Sequence, residues 1–215
     1  MNNTYKMAIF DMDGVILNSE PIHRHVREQM LSEKNLTIAD SDLNPVGKSM
    51  TEIWDTIREI SHIECDSQQM EIEHYRRVSG IIERDKVAPS KGLIELLETA
   101  RRKNMIIGIA SSSPRRLVDD VLRLLHLESY FDITLAGDEV ERRKPDPQLY
   151  CQVLESYDMS ASDAFAVEDS FVGASAAKAA GLFCFGYVNP TSGNQNLEIS
   201  DRKVYSLTEI TESLR

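Results

Sequence analysis

The sequence alternates short apolar runs with amphipathic helical patterns, an alternation that suits a parallel sheet wound by helices. The runs fall at 5–10, 105–110, 131–136, 164–167 and 182–188, with a last candidate at 203–206. They are rich in β-branched and aromatic residues and too short for helices, so they read as strands. Between them, residues 92–103 carry Leu93, Leu96, Leu97 and Ala100 at helical spacing. Pro114 suits a first helical turn ahead of Leu117, Val118, Val121, Leu122 and Leu125. Pro147 opens a further helix with Leu149, Val153 and Leu154 inward, and Gly181 is placed to end an alanine-rich helix over 172–180. Repeated βαβ units of this size predict an α/β fold with a doubly wound parallel sheet.

One stretch breaks the alternation. Residues from about 19 to 89 contain no strand pattern and read as helices at roughly 21–33, 51–61 and 67–84. They form a helical insertion placed directly after the first strand. The expected organisation is a core of 1–18 and 90–215 and a small helical domain of 19–89.

The formal net charge of −11 disfavours nucleic acid or an anionic membrane as partner. It also means that an anionic substrate must be met by a local basic cluster or a metal. No apolar run approaches the roughly 20 residues of a membrane span, and residues 1–6 lack the apolar segment of a signal peptide. The three cysteines, Cys65, Cys151 and Cys184, are isolated and lack metal-site spacing. A cytoplasmic protein with reduced thiols is expected.

In open parallel sheets, ligands sit beyond the carboxyl ends of the strands. Four of these ends are polar: Asp11-Met12-Asp13-Gly14, Ser111-Ser112-Ser113, Gly137-Asp138 and Glu168-Asp169-Ser170. A fifth polar element, Arg142-Arg143-Lys144-Pro145-Asp146-Pro147, precedes a helix. This set of carboxylates, hydroxyls and a lysine meets the demands of phosphoryl transfer. Phosphate repels an anionic nucleophile, and a hard cation with oxygen ligands, such as Mg²⁺, neutralises both. Asp11 can attack phosphorus, and Asp13 can protonate the leaving oxygen and later activate water. Lys144 can hold the phosphate and screen the carboxylates from one another. Ser111 can donate to a phosphoryl oxygen, and Glu168 with Asp169 can complete a metal site. Ser112 and Ser113 can face the same phosphate or cap the Pro114 helix.

At these residues the chain resembles the haloacid dehalogenase superfamily. Phe10-Asp11-Met12-Asp13-Gly14-Val15 looks like its first motif and Ile109-Ala110-Ser111-Ser112-Ser113 like its second. Lys144-Pro145-Asp146-Pro147 looks like the third, and Val167-Glu168-Asp169-Ser170 with Gly173, Ala176, Ala179 and Gly181 like the fourth. The motifs run in family order from Asp11 to Gly181. The resemblance implies a Rossmann-like core and a small helical cap inserted after motif one. It implies Mg²⁺ held by Asp11, the backbone carbonyl of Asp13, and Asp169, with Glu168 nearby. It also places Gly14 and Ser112 beside the substrate.

Within the superfamily the likeness is closest to the phosphatase and β-phosphoglucomutase branch. Dehalogenases and phosphonoacetaldehyde hydrolases lack the second aspartate of motif one, so Asp13 favours phosphate esters. His23 stands where mutase-like members keep a histidine at the cap hinge. Gly47-Lys48-Ser49 resembles the cap's specificity loop, with Met50 or Lys48 where mutases keep an arginine. Arg76 and Arg77, on a later cap helix, are alternative cations, and Met50 and Trp54 read as cap core. The expectation is a phosphatase acting on a small phosphorylated metabolite, as a monomer or weak homodimer. The alternatives are a phosphosugar mutase and a catalytically silent binding protein on the same fold.

Overall fold

Strand β1, Met7–Phe10, lies at the centre of a six-stranded sheet and is completely buried. The computed structural model describes residues 5–43, 49–189, 191 and 195–215. The other strands are β2 (Ile106–Ala110), β3 (Ile133–Leu135), β4 (Ala164–Glu168), β5 (Phe183–Tyr187) and β6 (Arg202–Val204). Every pairing is parallel and the order is β3-β2-β1-β4-β5-β6. A four-residue strand without a polar side chain can sit at such a centre because both sheet faces are covered. The strand order reverses between β1 and β4. A crevice at that switch point is where ligands bind in open α/β sheets. Phe10 aligns with Ile109 of β2 and Val167 of β4, so Asp11, Ser111 and Glu168 come out at one rim.

The chain divides into two compact units: Met1–Ser19 with Val87–Arg215, and Glu20–Lys86. The first holds the sheet and its helices. The second is helical, built from α1 (Glu20–Glu33), α2 (Asp40–Leu43), α3 (Met50–Ser61) and α4 (Ser67–Asp85). Helix α4 packs on α1 and α3, and Val26, Met30, Ile53, Trp54, Ile57, Val78 and Ile82 are buried. Ser49 and Glu52 form a capping box that starts α3. Trp54 and Met50 are both buried.

The remaining helices are α5 (Leu93–Arg102), α6 (Arg115–Leu124), α7 (Gln148–Glu155), α8 (Phe171–Ala179) and α9 (Leu207–Leu214). Pro114 and Pro147 occupy the residue just before their helices rather than the first turn. Gly181, with φ +81°, follows the end of α8 as expected. The third strand is shorter than the apolar run at 131–136 because a 3₁₀ turn over Glu128–Tyr130 precedes it. Asp132 then spends its carboxylate on the Ile107 N–H. Helix α9 packs on α5, and a capping box of Ser206 and Glu209 begins it. Among the described residues, no helix is long and apolar enough to cross a membrane.

Candidate active site

Asp11 is the first residue beyond β1, and its N–H donates to the Val167 carbonyl at 3.0 Å. The chain then turns sharply through Gly14, whose φ of +81° suits glycine. A side chain there is excluded twice over, because an added Cβ would lie 2.0 Å from Asp169 Oδ2. Gly14 is therefore needed for the backbone and the Asp169 carboxylate to meet.

Lys144 links three strand ends. Its Nζ donates to Asp11 Oδ1 at 2.7 Å, to Glu168 Oε1 at 2.6 Å and to the Ala110 carbonyl at 2.7 Å. An ammonium has three protons, and all three are committed. Of the two roles expected for Lys144, screening the carboxylates is visible in this arrangement. Gripping phosphate would require the ligand to take over one of these bonds. Burial opposes the ammonium, but the Asp11 and Glu168 charges outweigh it and hold the Lys144 pKa above that of a free lysine.

Glu168 ends β4 and is fully buried. Its Oε1 also accepts from the Tyr150 hydroxyl at 2.5 Å, whereas Oε2 has no partner among the described residues. Burial, reinforced by Glu168, keeps that tyrosine protonated well above its ordinary pKa. Asp169 follows, 8% exposed, and Gln195 Nε2 donates to its carbonyl at 2.6 Å. One oxygen each from Asp11, Glu168 and Asp169 lies within 4.8 Å of the others. Three carboxylates against one ammonium leave a buried excess of negative charge. Burial pushes the Asp11 pKa well up; Lys144 opposes that rise, and Glu168, Asp169 and Asp13 add to it. Buried hard oxygens, one of them unpartnered, fit a small divalent cation such as Mg²⁺.

Asp13 is held from two sides. Ser19 Oγ donates to its Oδ1 at 2.6 Å and Ser113 Oγ to its Oδ2 at 2.7 Å. Ser111 is buried, and its Oγ accepts the Ser113 N–H at 3.1 Å, which leaves its own proton to donate. Ser112 is exposed. Ser113 therefore touches Asp13, and neither serine caps α6, whose N-cap Pro114 has no side-chain hydrogen bond.

The structure thus brings Asp11, Asp13, Gly14, Ser111, Lys144, Glu168 and Asp169 to one edge of the sheet. Apart from Ser112, which follows Ser111 in the same loop, the remaining candidates lie in the helical unit. His23 Nδ1 is 3.0 Å from His74 Nε2, and the two rings stack with centroids 5.2 Å apart. The Arg77 guanidinium is bidentate to Glu33 at 2.6 and 2.9 Å and also donates to Glu73 at 2.7 Å. Arg76 is engaged by Glu73 as well. Lys48 lies outside the described residues.

Several contacts to the site were not foreseen from the sequence. Asn189, just past β5, donates to the Gly14 carbonyl at 3.0 Å and to Asn18 Oδ1 at 3.3 Å. Thr191 and Gln195 continue this strap to Asn18 and Asp169. Ser19, Ser113 and Tyr150 complete the group. No local pattern marks them, since each acts on a residue distant in sequence or on a neighbouring loop.

Residues 8–187 match the model of the haloacid dehalogenase-like hydrolases, and the chain belongs to that family. It is 31% identical over 186 residues to the phosphorylated carbohydrates phosphatase of Thermotoga maritima, covering 81% of each chain. It is 28% identical over 208 residues to validoxylamine A 7′-phosphate phosphatase of Streptomyces hygroscopicus subsp. limoneus, covering 96% of each. Among solved structures, CbbY from Rhodobacter sphaeroides in complex with phosphate is similar, with a TM-score of 0.82 at 23% identity over 96% of each chain. That likeness concerns the fold. The chain is therefore an enzyme of the hydrolase family, and its α/β core is the Rossmann-like one expected.

Proposed function

We propose that the protein is a Mg²⁺-dependent phosphatase that hydrolyses a small phosphorylated metabolite, a sugar phosphate, through a phosphorylated Asp11. The observation that carries this reading is the pairing of Asp11, fixed by Lys144, with Asp13 two residues on, held by Ser19 and Ser113. In the first step an Asp11 oxygen forms a bond to phosphorus and the ester P–O bond breaks. A protonated Asp13 gives its proton to the departing alkoxide. In the second step Asp13 takes a proton from water, whose oxygen attacks phosphorus. The bond to Asp11 then breaks, inorganic phosphate leaves, and both aspartates return to their starting forms.

Asp11, Glu168, Asp169 and the Asp13 carbonyl would hold the cation. Once bound, it supplies charge neutralisation between phosphate and nucleophile. Ser111 donates to a phosphoryl oxygen, with Gly14 and Ser112 beside it. The helical unit serves as the cap that selects the substrate, and His23 and Lys48 are its candidate substrate-binding residues. The sugar substrate is supported by the relative named for phosphorylated carbohydrates. A cytoplasmic location is part of the reading, supported by three cysteines that form no disulfide.

Water rather than a second sugar hydroxyl is the acceptor. A mutase must grip the far phosphate of a bisphosphate, which suits a bidentate arginine, and both Arg76 and Arg77 are already engaged by glutamates. With a hexose 1-phosphate and Mg²⁺, inorganic phosphate is the expected main product, lost in EDTA and unaffected by a trace of hexose 1,6-bisphosphate. Efficient isomerisation to the 6-phosphate with little phosphate released would overturn the assignment.

A further inference from the structure

Helix α7 begins just after Lys144, and its buried face carries Leu149, Tyr150, Val153 and Leu154. Three of these are ordinary core residues. The fourth places a hydroxyl where packing alone would accept a phenylalanine, and a buried hydroxyl costs stability unless it is hydrogen-bonded. Tyr150 is fully buried, and its hydroxyl reaches Glu168 Oε1 at 2.5 Å. The same oxygen accepts from Lys144, whose Nζ lies 5.0 Å from the centroid of the Tyr150 ring. Two donors six residues apart in one segment therefore converge on one carboxylate oxygen.

The opposite side of Glu168 is also defined. Helix α8 passes so close that a Cβ on Gly173 would lie 2.0 Å from Oε2 and 2.2 Å from Oε1. The carboxylate is thus fixed by Lys144, by Tyr150 and by the bare backbone at Gly173. Its second oxygen, Oε2, is buried and has no partner among the described residues. Lys144 alone is a weak fixture for this geometry, because it is shared with Asp11 and the Ala110 carbonyl.

We infer that Tyr150 is a positioning residue for cation binding: its hydroxyl locks the Glu168 carboxylate through Oε1 so that Oε2 is presented to the divalent ion. This rests on the metal reading of the Asp11, Glu168 and Asp169 cluster. Tyr150 touches neither substrate nor cation; it acts through Glu168. Its loss should weaken metal affinity by about 10–100-fold, the usual effect of removing a group that orients a ligand.

The test is calorimetric titration of Mg²⁺ into metal-stripped wild type, Tyr150→Phe, Glu168→Gln and the double variant. Tyr150→Phe keeps the ring and removes one oxygen. It should weaken Mg²⁺ binding roughly 10-fold or more relative to wild type. In the Glu168→Gln background the same change should cost under about threefold, since the group through which it acts is altered. Unchanged affinity in Tyr150→Phe while Glu168→Gln binds weakly would overturn the role of Tyr150 and leave the metal site standing. An equal loss in both backgrounds would also overturn it, because the effect would then bypass Glu168. Wild type that binds no Mg²⁺ would sink the metal reading and this inference together. An independent readout needs no variant: the Tyr150 hydroxyl proton, shielded from solvent, should shift in the NMR spectrum and saturate at the wild-type Kd. A resonance indifferent to Mg²⁺ would contradict the assignment.

Discussion

Replacing Lys144 by methionine keeps an unbranched side chain of similar length and removes one charge. The ammonium is only 3% exposed and bridges Asp11 and Glu168 at 2.7 and 2.6 Å. Its loss leaves the Asp11, Glu168 and Asp169 carboxylates buried together without a protein cation. Removing one partner from a buried ion pair costs about 3–5 kcal/mol, because the other charge stays behind desolvated. For a chain of this size, that corresponds to a fall in Tm of roughly 6–20 °C. The assay is thermal unfolding followed by circular dichroism, in EDTA and in Mg²⁺. The loss should be full in EDTA and smaller in Mg²⁺, where a divalent cation replaces the missing charge. It should also shrink at low pH. Without Lys144, which opposes the rise, the Asp11 pKa in the folded state lies still further above its unfolded value. The penalty is then absent below the unfolded value and grows as pH climbs through the folded one. Phosphatase activity should fall by about 10²–10³, the usual effect of removing one preorganised electrostatic group. A variant whose Tm in EDTA lies within a degree or two of wild type (roughly under 1 kcal/mol) would refute the reasoning.

Asp13→Ala should slow alkyl phosphates with poor leaving groups far more than aryl phosphates, whose leaving oxygen needs less protonation; equal losses would remove the acid role. His74 tests the helical unit: its pKa lies well below 6.5, first through burial and then through the neighbouring His23, Arg27 and Arg77. The unfolded state therefore binds more protons in mildly acidic solution, and stability present above about pH 6.5 is lost as pH falls towards the folded value. His74→Phe should flatten the dependence of Tm on pH between roughly 7 and 5, and an unchanged slope would show that the titrating group lies elsewhere.

The fold was legible because its inner strands are short and almost wholly apolar, and β1, β2 and β4 end in polar clusters. Met7 to Phe10 has no polar residue to place, so it reads as a buried strand. The candidate nucleophile and metal ligands were legible for a related reason, since they follow directly on strand ends. The supporting residues follow no such rule. Ser113 reaches Asp13 across 100 residues, and Asn189 reaches Gly14 across 175. Only the parallel pairing of distant strands brings them together. Tyr150 was hidden for another reason: on a helix face its spacing reads as core, and its ring is core, but its hydroxyl is not. Helix α9 was missed although Ser206 and Glu209 spell its capping box, because the segment is short and follows an edge strand.

The central claim is that Asp11 carries the phosphoryl group between substrate and water. The most direct measurement is rapid acid quenching of the Mg²⁺-loaded protein during turnover of a sugar phosphate, followed by proteolysis and mass spectrometry of the peptide containing Asp11. The account predicts a transient gain of one phosphoryl group on Asp11, appearing no more slowly than turnover and absent from an inactive Asp11→Asn variant. Steady phosphate release with no phosphorylated Asp11 at any quench time, or near-normal turnover by Asp11→Asn, would contradict it.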